Sequence, residues 1–452
     1  MTDAHGDREC ESLNGWWHTW LDEAADWEHE DLPPPDTPAD ALPRRTPTAG
    51  WDGMEWGMES TRVPGSLAQA RPGYRGVAWQ WRPIVIPEAW RGRLVYLVLG
   101  GARQRTEVYL DERPVGYDLD GLTPMITDLT PYVRPGGQYE LALRVTNPGG
   151  WRMDEERGAI RWGSAALPGS RDVGGLWGGA ALVALPRLHV VDLVVIPGDT
   201  LGEATARVVL RNVGVTTAAE VRLAIAAGGR LAGTTPSARG VAVPSGRDAV
   251  VTLPFAIAEP VEWAPQHPHL YLIAAEVRSE HGVDRREAPL GLRRVHERDG
   301  HRIVGRDAAP LSTGLAPGST GHDVPLSPAA AERAVARARA AGVGSLMATG
   351  WPAEPALLRS SDRLGMPVVQ TLVGVDDAER VSGGARELYR TLVRDRLRRL
   401  IQRNRNHPSV VAWRLAMARD EAAFGALVAL VRTYDATRPV LSIDQPTIVS
   451  AR

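Results

Sequence analysis

Cysteine is nearly absent: Cys10 is the sole thiol in 452 residues. An internal disulfide is thereby excluded, which fits a reducing compartment. No apolar run approaches the roughly 20 residues needed to span a bilayer, so no membrane partner is expected. The opening residues, Met1 to Glu9, are polar and acidic. They lack the basic start and apolar centre of a secretory leader, and a soluble, cytoplasmic protein is expected. Neither sign of charge dominates, and the net charge of −2 is too weak a field to recruit nucleic acid. Phosphate-cradling loops, nucleophile elbows and cysteine clusters are missing too. Gly342-Val343-Gly344 enters a strand instead of leaving one, the wrong context for a dinucleotide loop. His267-Pro268-His269 lies within a sandwich-like segment, and neither metal nor cofactor is expected.

Phenylalanine is scarce as well, with two Phe against fifteen Trp. An indole offers a flat apolar face and one N–H donor, which suits stacking on sugar rings. The same side chain also fills β-sandwich cores.

The length predicts two to four domains. From about residue 74 to 195 the texture is short strands and turns. Tyr139, Leu141, Leu143 and Val145 alternate with Glu140, Ala142 and Arg144, a period of two that marks a half-buried strand. Arg93 to Leu99 is apolar at nearly every position, as in a strand buried on both faces. Asp111-Glu112-Arg113-Pro114 and Arg134-Pro135-Gly136-Gly137 are turn chemistry. Residues 31–50, rich in Pro, Asp, Thr and Ala, read as a loop or linker. A second β-rich stretch follows, with strands at Ala206–Val213, Glu220–Ala226 and Ala249–Phe255.

After about residue 297 strands and helices alternate. Ser327 caps a predicted helix with Pro328 at its first position. Val343–Ala348, Pro367–Val373, Val410–Leu415 and Val440–Ile443 read as strands, and Pro355–Leu364 as a helix closed by Gly365. Arg386–Arg403 is a long helix with an apolar stripe of Leu388, Leu392, Val393, Leu397, Leu400 and Ile401. Its arginines are expected on a solvated face. This alternation implies a parallel sheet or barrel.

Three ordered sets of motifs resemble family 2 glycoside hydrolases, the β-galactosidase and β-glucuronidase group. The first set runs through Ser12-Leu13-Asn14-Gly15-Trp16, Val63-Pro64-Gly65, Gly76 to Arg82, Glu107-Val108-Tyr109-Leu110, Gly121-Leu122-Thr123-Pro124 and Val173-Gly174-Gly175-Leu176-Trp177. The second is Trp263-Ala264-Pro265, Pro268-His269-Leu270-Tyr271 and Gly291-Leu292-Arg293. The third and most specific is Arg403-Asn404-Arg405-Asn406-His407-Pro408-Ser409-Val410-Val411-Ala412-Trp413. The resemblance implies a jelly-roll sugar-binding sandwich over 1–195, an immunoglobulin-like sandwich over 196–296 and an incomplete TIM-type (β/α) barrel over 297–452.

The resemblance also implies a loss. A retaining glycosidase needs two carboxyl groups roughly 5–5.5 Å apart. In the family the acid closes a Trp-Ser-Leu-Gly-Asn-Glu type run, and here the aligned residues are Trp413-Arg414-Leu415-Ala416-Met417-Ala418. Ala418 stands where the acid would, and a methyl group transfers no proton. The family's nucleophile lies on a strand later than Val440, and nothing before Arg452 aligns with it. Asp420 and Glu421 are the weak catalytic candidates, with helix capping as their structural alternative. Trp413, Arg414, His322, Asp323 and Trp351 are the candidate binding residues. The expected partner is a carbohydrate or a glycosylated small molecule, bound without hydrolysis. Two alternatives stay open: hydrolysis through a displaced carboxylate or a partner chain, and a non-hydrolytic step such as a cyclisation in a repurposed cleft. An open barrel edge predicts a homodimer.

Overall fold

The computed structural model describes residues 8–149, 159–163, 165–168, 172–233, 235–293, 295–298, 301–304, 313–317, 326–349, 352–372, 385–415 and 421–442. The described chain is mostly β and builds two sandwich-like pairs of sheets before a parallel sheet.

The first pair faces a six-stranded antiparallel sheet against a four-stranded one. The larger has the spatial order Glu59–Val63, Gly15–Asp22, Gly76–Val85, Gln138–Asn147, Arg105–Leu110, Arg113–Asp118. The smaller has the order Glu9–Ser12, Ala180–Leu185, Leu94–Leu99, Met125–Asp128. Leu141, Leu143 and Val145 meet Val95, Leu97 and Leu99 in the core between them, as the two-residue period requires.

The opposite face of the larger sheet departs from expectation. Ala142 and Arg144 are buried too, because residues 23–57 lie across that face. Residues 31–50 are therefore a cover and not a linker. Pro33 O accepts from the Tyr117 hydroxyl at 3.0 Å, and Thr48 N donates to Asp22 at 3.1 Å. Trp51 sits edge-on to Trp79 at 5.0 Å. Glu30 receives Arg45, Arg105 and Arg144 at 2.7, 3.0 and 2.6 Å. Charges this deep persist because each is paired.

The second pair spans Leu188 to Leu290. Leu188–Pro197, Glu203–Asn212 and Asp248–Ala256 form one sheet. Thr217–Ala227, Tyr271–Ser279 and Gly282–Leu290 form the heart of the other. Their facing side chains, Val208, Leu210, Val221, Leu223, Ile273 and Val277 among them, make one apolar core.

The parallel sheet has five sequential strands: β1 (Thr313–Leu315), β2 (Ser345–Ala348), β3 (Val368–Leu372), β4 (Val410–Leu415) and β5 (Val440–Leu441). Helices α1 (Pro328–Ala340), α2 (Pro355–Leu364), α3 (Ala385–Asn404) and α4 (Glu421–Tyr434) alternate with them. Ser327 Oγ caps α1 by accepting from Ala330 N at 3.2 Å. Gly365 closes α2 with φ +68°, a left-handed position that favours glycine.

One sheet face is apolar and carries the helices. Leu346, Ala348, Val368, Leu372, Trp413 and Leu415 pack there against Val335, Leu357, Tyr389, Leu397 and Ile401. On the other face Val369, Val411, Ala412 and Leu441 close over Trp263 from the second sandwich. No helix among the described residues is long and apolar enough to cross a membrane.

Candidate functional site

The most specific motif, residues 403–413, proves to be a joint. Asn406 accepts from Val195 N at 3.1 Å and donates to Leu193 O at 2.7 Å, and Arg405 pairs with Asp192. All three contacts bind the start of β4 to the second sandwich. His407 Nδ1 lies 2.5 Å from Asp362 Oδ2, and Ser409 N donates to Asp362 Oδ1 at 3.0 Å. Arg293 donates to the carbonyls of Pro408 and Val410 at 2.6 and 2.5 Å. Gly291 is required beside them, because a Cβ there would stand 2.5 Å from Pro408 Cβ. The second and third motif sets thus meet at the entry of β4.

β4 is anchored at one point more. Trp413 is fully buried, and its indole N–H donates to Asp435 Oδ2 at 2.8 Å. Asp435 also receives Arg438 at 2.8 Å and both the amide and hydroxyl of Thr437. Although burial opposes the charge, Arg438 and these donors pull the carboxyl down to about 2. Trp413, expected to line a cleft, is instead a buried core residue on the helix-covered face.

Arg414 points to the opposite face, as strand alternation dictates. Its Nη1 lies 2.9 Å from Met347 Sδ on β2. Thr313 and Ser345 touch through their hydroxyls at 3.1 Å, and Thr371 belongs to the same face by alternation. Among the described residues this inner face presents the Thr313 and Ser345 hydroxyls at the entry of β1 and β2, the Met347 thioether above them, Thr371 and Arg414 nearer the far ends, and no carboxylate. His322, Asp323, Trp351, Ala418 and Asp420 lie outside the described residues. Glu421 opens α4, but its side chain lies outside them as well.

Sequence reasoning missed two features near the strand ends. The first is the arginine face of α3. Arg396 is buried, and its Nε and Nη2 donate to Asp120 Oδ1 at 2.8 and 2.5 Å. Arg399 pairs with Asp118 at 2.8 Å. Leu388 and Leu392 meanwhile pack on Leu119, just after a strand of the first sandwich, and on Trp162 and Leu167 of a separate two-stranded hairpin, Ala159–Trp162 with Ala165–Pro168. The expectation of a solvated face is thus corrected: two of the arginines dock the helix onto a partner surface that no local pattern displays.

The second is Glu354, between β2 and α2. Its Oε2 accepts from Leu326 N at 2.8 Å, and Oε1 is buried with no partner. Burial raises the carboxyl to about 7, against the pull of Leu326 N and Arg403. Next to it Ala353 N donates to Gln370 Oε1 at 2.9 Å, and Arg403 Nη2 donates to Ala353 O at 2.7 Å. The signal in the sequence was a glutamate immediately before a helix-opening proline.

Residues 338–450 match the family model described as Glycosyl hydrolases family 2, TIM barrel domain. The chain is a family 2 glycoside hydrolase-like protein.

A β-glucuronidase of Formosa agariphila is 23% identical over 381 residues, which cover 80% of this family 2-like chain and 38% of that protein. A β-galactosidase of Aeromonas hydrophila is 25% identical over 375 residues, covering 76% and 33%. The chain thus spans between a third and two fifths of the length of these relatives. A family 2 glycosyl hydrolase structure from Bacteroides cellulosilyticus superposes with a TM-score of 0.72 at 19% identity, covering 96% of this chain and 57% of that one. The likeness at that identity is one of fold.

Proposed function

We propose that this family 2-like chain binds a saccharide or a glycosylated small molecule at the far ends of its parallel strands and does not hydrolyse it. Within this reading the first sandwich is a jelly roll over 1–195, the second an immunoglobulin-like sandwich over 196–296, and 297–452 an incomplete barrel. The relatives are named for cutting β-glycosides; the scaffold is shared, and the acid is what differs.

One observation carries the reading. β4, the strand that in the family leads to the acid, is held in register, with Trp413 opposite both Gln370 and Val440. It ends at Leu415, and the third residue beyond that in the sequence is Ala418. General acid catalysis is worth roughly 10²–10⁴-fold, so a methyl group at that position removes a large part of the rate. The inner face supports the same conclusion. Thr371 and Arg414, opposite each other near the far ends of β3 and β4, offer donors and acceptors for hydroxyl groups, without a carboxylate among the described residues of that face to attack an anomeric carbon.

The test uses nitrophenyl β-galactoside, β-glucuronide and β-mannoside. The intact protein is expected to release no nitrophenol above background, while a free sugar of one of these classes raises its melting temperature. Release that disappears in Asp420→Asn or Glu421→Gln would overturn the reading and identify the displaced carboxylate.

A further inference from the structure

Glu354 stands immediately before α2, the position from which a side chain ordinarily caps its own helix. It does not do so: no side-chain bond reaches the amides of α2. The Ala356 and Leu357 N–H groups in that first turn have no intrahelical acceptor, and Pro355 before them has no N–H at all. Leu358 N is served by the backbone carbonyl of Glu354 at 3.0 Å. The carboxyl instead crosses to another element and takes Leu326 N, one residue before the Ser327 cap of α1.

We propose that Glu354 is a two-position clasp, bridging to the entry of α1 when protonated and turning to cap α2 when ionised. The bridging position suits a neutral carboxyl. It supplies one donor, from Leu326, and leaves Oε1 buried without a partner. A full charge there lacks compensation, because Arg403 already donates to Ala353 O and Asn404 Oδ1. Arg403 on α3 is the one described charge that acts on Glu354. The neighbours from α1 and β3, Leu326, Ser327 and Gln370, are uncharged. The capping position suits the carboxylate, since free amides and the helix dipole both favour negative charge there. Burial that favours the neutral form places the exchange near neutral pH. The device ties the first turn of α1 to the loop after β2, two neighbouring segments of the parallel-sheet domain, and loosens that tie as pH rises.

Hydrogen exchange read by mass spectrometry tests it on the full chain, at about pH 6 and about pH 8.5, as protection factors corrected for intrinsic rates. In the wild type, protection of the segment 326–331 is expected to fall about tenfold at the higher pH while that of 356–358 rises. Glu354→Gln cannot ionise and keeps its reach, so it holds both segments at their low-pH values throughout. Glu354→Asp is too short for Leu326 and a good cap, so it shows the high-pH pattern at both values. Far-UV dichroism confirms that each variant is folded. A wild type without pH dependence would overturn the clasp, as would a Gln variant that follows the wild type.

Discussion

Asp435→Ala is expected to lower the unfolding midpoint of the parallel-sheet domain more than any other single change considered. The carboxylate holds Arg438, Thr437 and Trp413 together, and through Trp413 it fixes β4. Its removal leaves the Arg438 guanidinium buried beside an unpaired indole N–H. Breaking a buried pair from one side costs about 3–5 kcal/mol. Asp435→Asn keeps acceptors for Thr437 and Trp413, loses the charge and falls between. The same residue sets an acid limit. Its carboxyl lies below the ordinary 3.8, at about 2 in the folded chain. The unfolded state therefore binds the proton more readily over that interval. The stabilisation is complete above about pH 4 and is lost as pH falls through about 2, with roughly 2 kcal/mol at stake. Calorimetry across that window should show the wild type losing stability faster than Asp435→Asn. Equal slopes would show that the pair carries little energy.

Arg396→Met is expected to have the second-largest effect. It strands Asp120, which is buried against α3 and takes both Arg396 bonds on one oxygen. The cost is again about 3 kcal/mol or more, dominated by the uncompensated carboxylate. Asp120→Asn with Arg396→Met removes both charges and should recover most of that loss. A double-mutant cycle by urea unfolding measures the difference. Additive single effects would show that the two side chains are energetically independent. Arg396→Lys is no rescue, because an ammonium cannot place two N–H groups as the guanidinium does.

Arg396 also shows where sequence reading stops. The periodicity of α3 placed its apolar stripe correctly, because a 3.6-residue repeat is a local property. The docking of Arg396 and Arg399 onto Asp120 and Asp118 is not local; those residues lie more than 270 positions away. The strand Gln138–Asn147 teaches the same point. Its inward face was legible in the alternation of Leu141, Leu143 and Val145. Its outward face is buried only because residues 23–57 cross it, and their loop-like composition conceals the contacts of Glu30 and Trp51. The strand boundaries of the parallel sheet agreed to within two residues where apolar runs met Pro or Gly. At the site, the motif around His407 was conspicuous but serves the joint between domains. Trp413 looked like a ligand platform because indoles suit sugars, yet strand parity turns it to the helices. Arg414, one residue on, is the member of that pair left facing the inner surface.

The central claim is binding without cleavage, and saturation-transfer NMR on intact β-glycosides reads both parts at once. Wild-type protein is mixed with methyl β-galactoside, β-glucuronide or β-mannoside, whose alkoxide leaving group depends on protonation, and followed for about a day; general-acid loss of roughly 10²–10⁴-fold keeps any residual turnover small. The account predicts transfer to the sugar-ring protons of at least one glycoside while the anomeric signals of free sugar stay absent. Accumulating free sugar would contradict it, and so would the absence of transfer to all three.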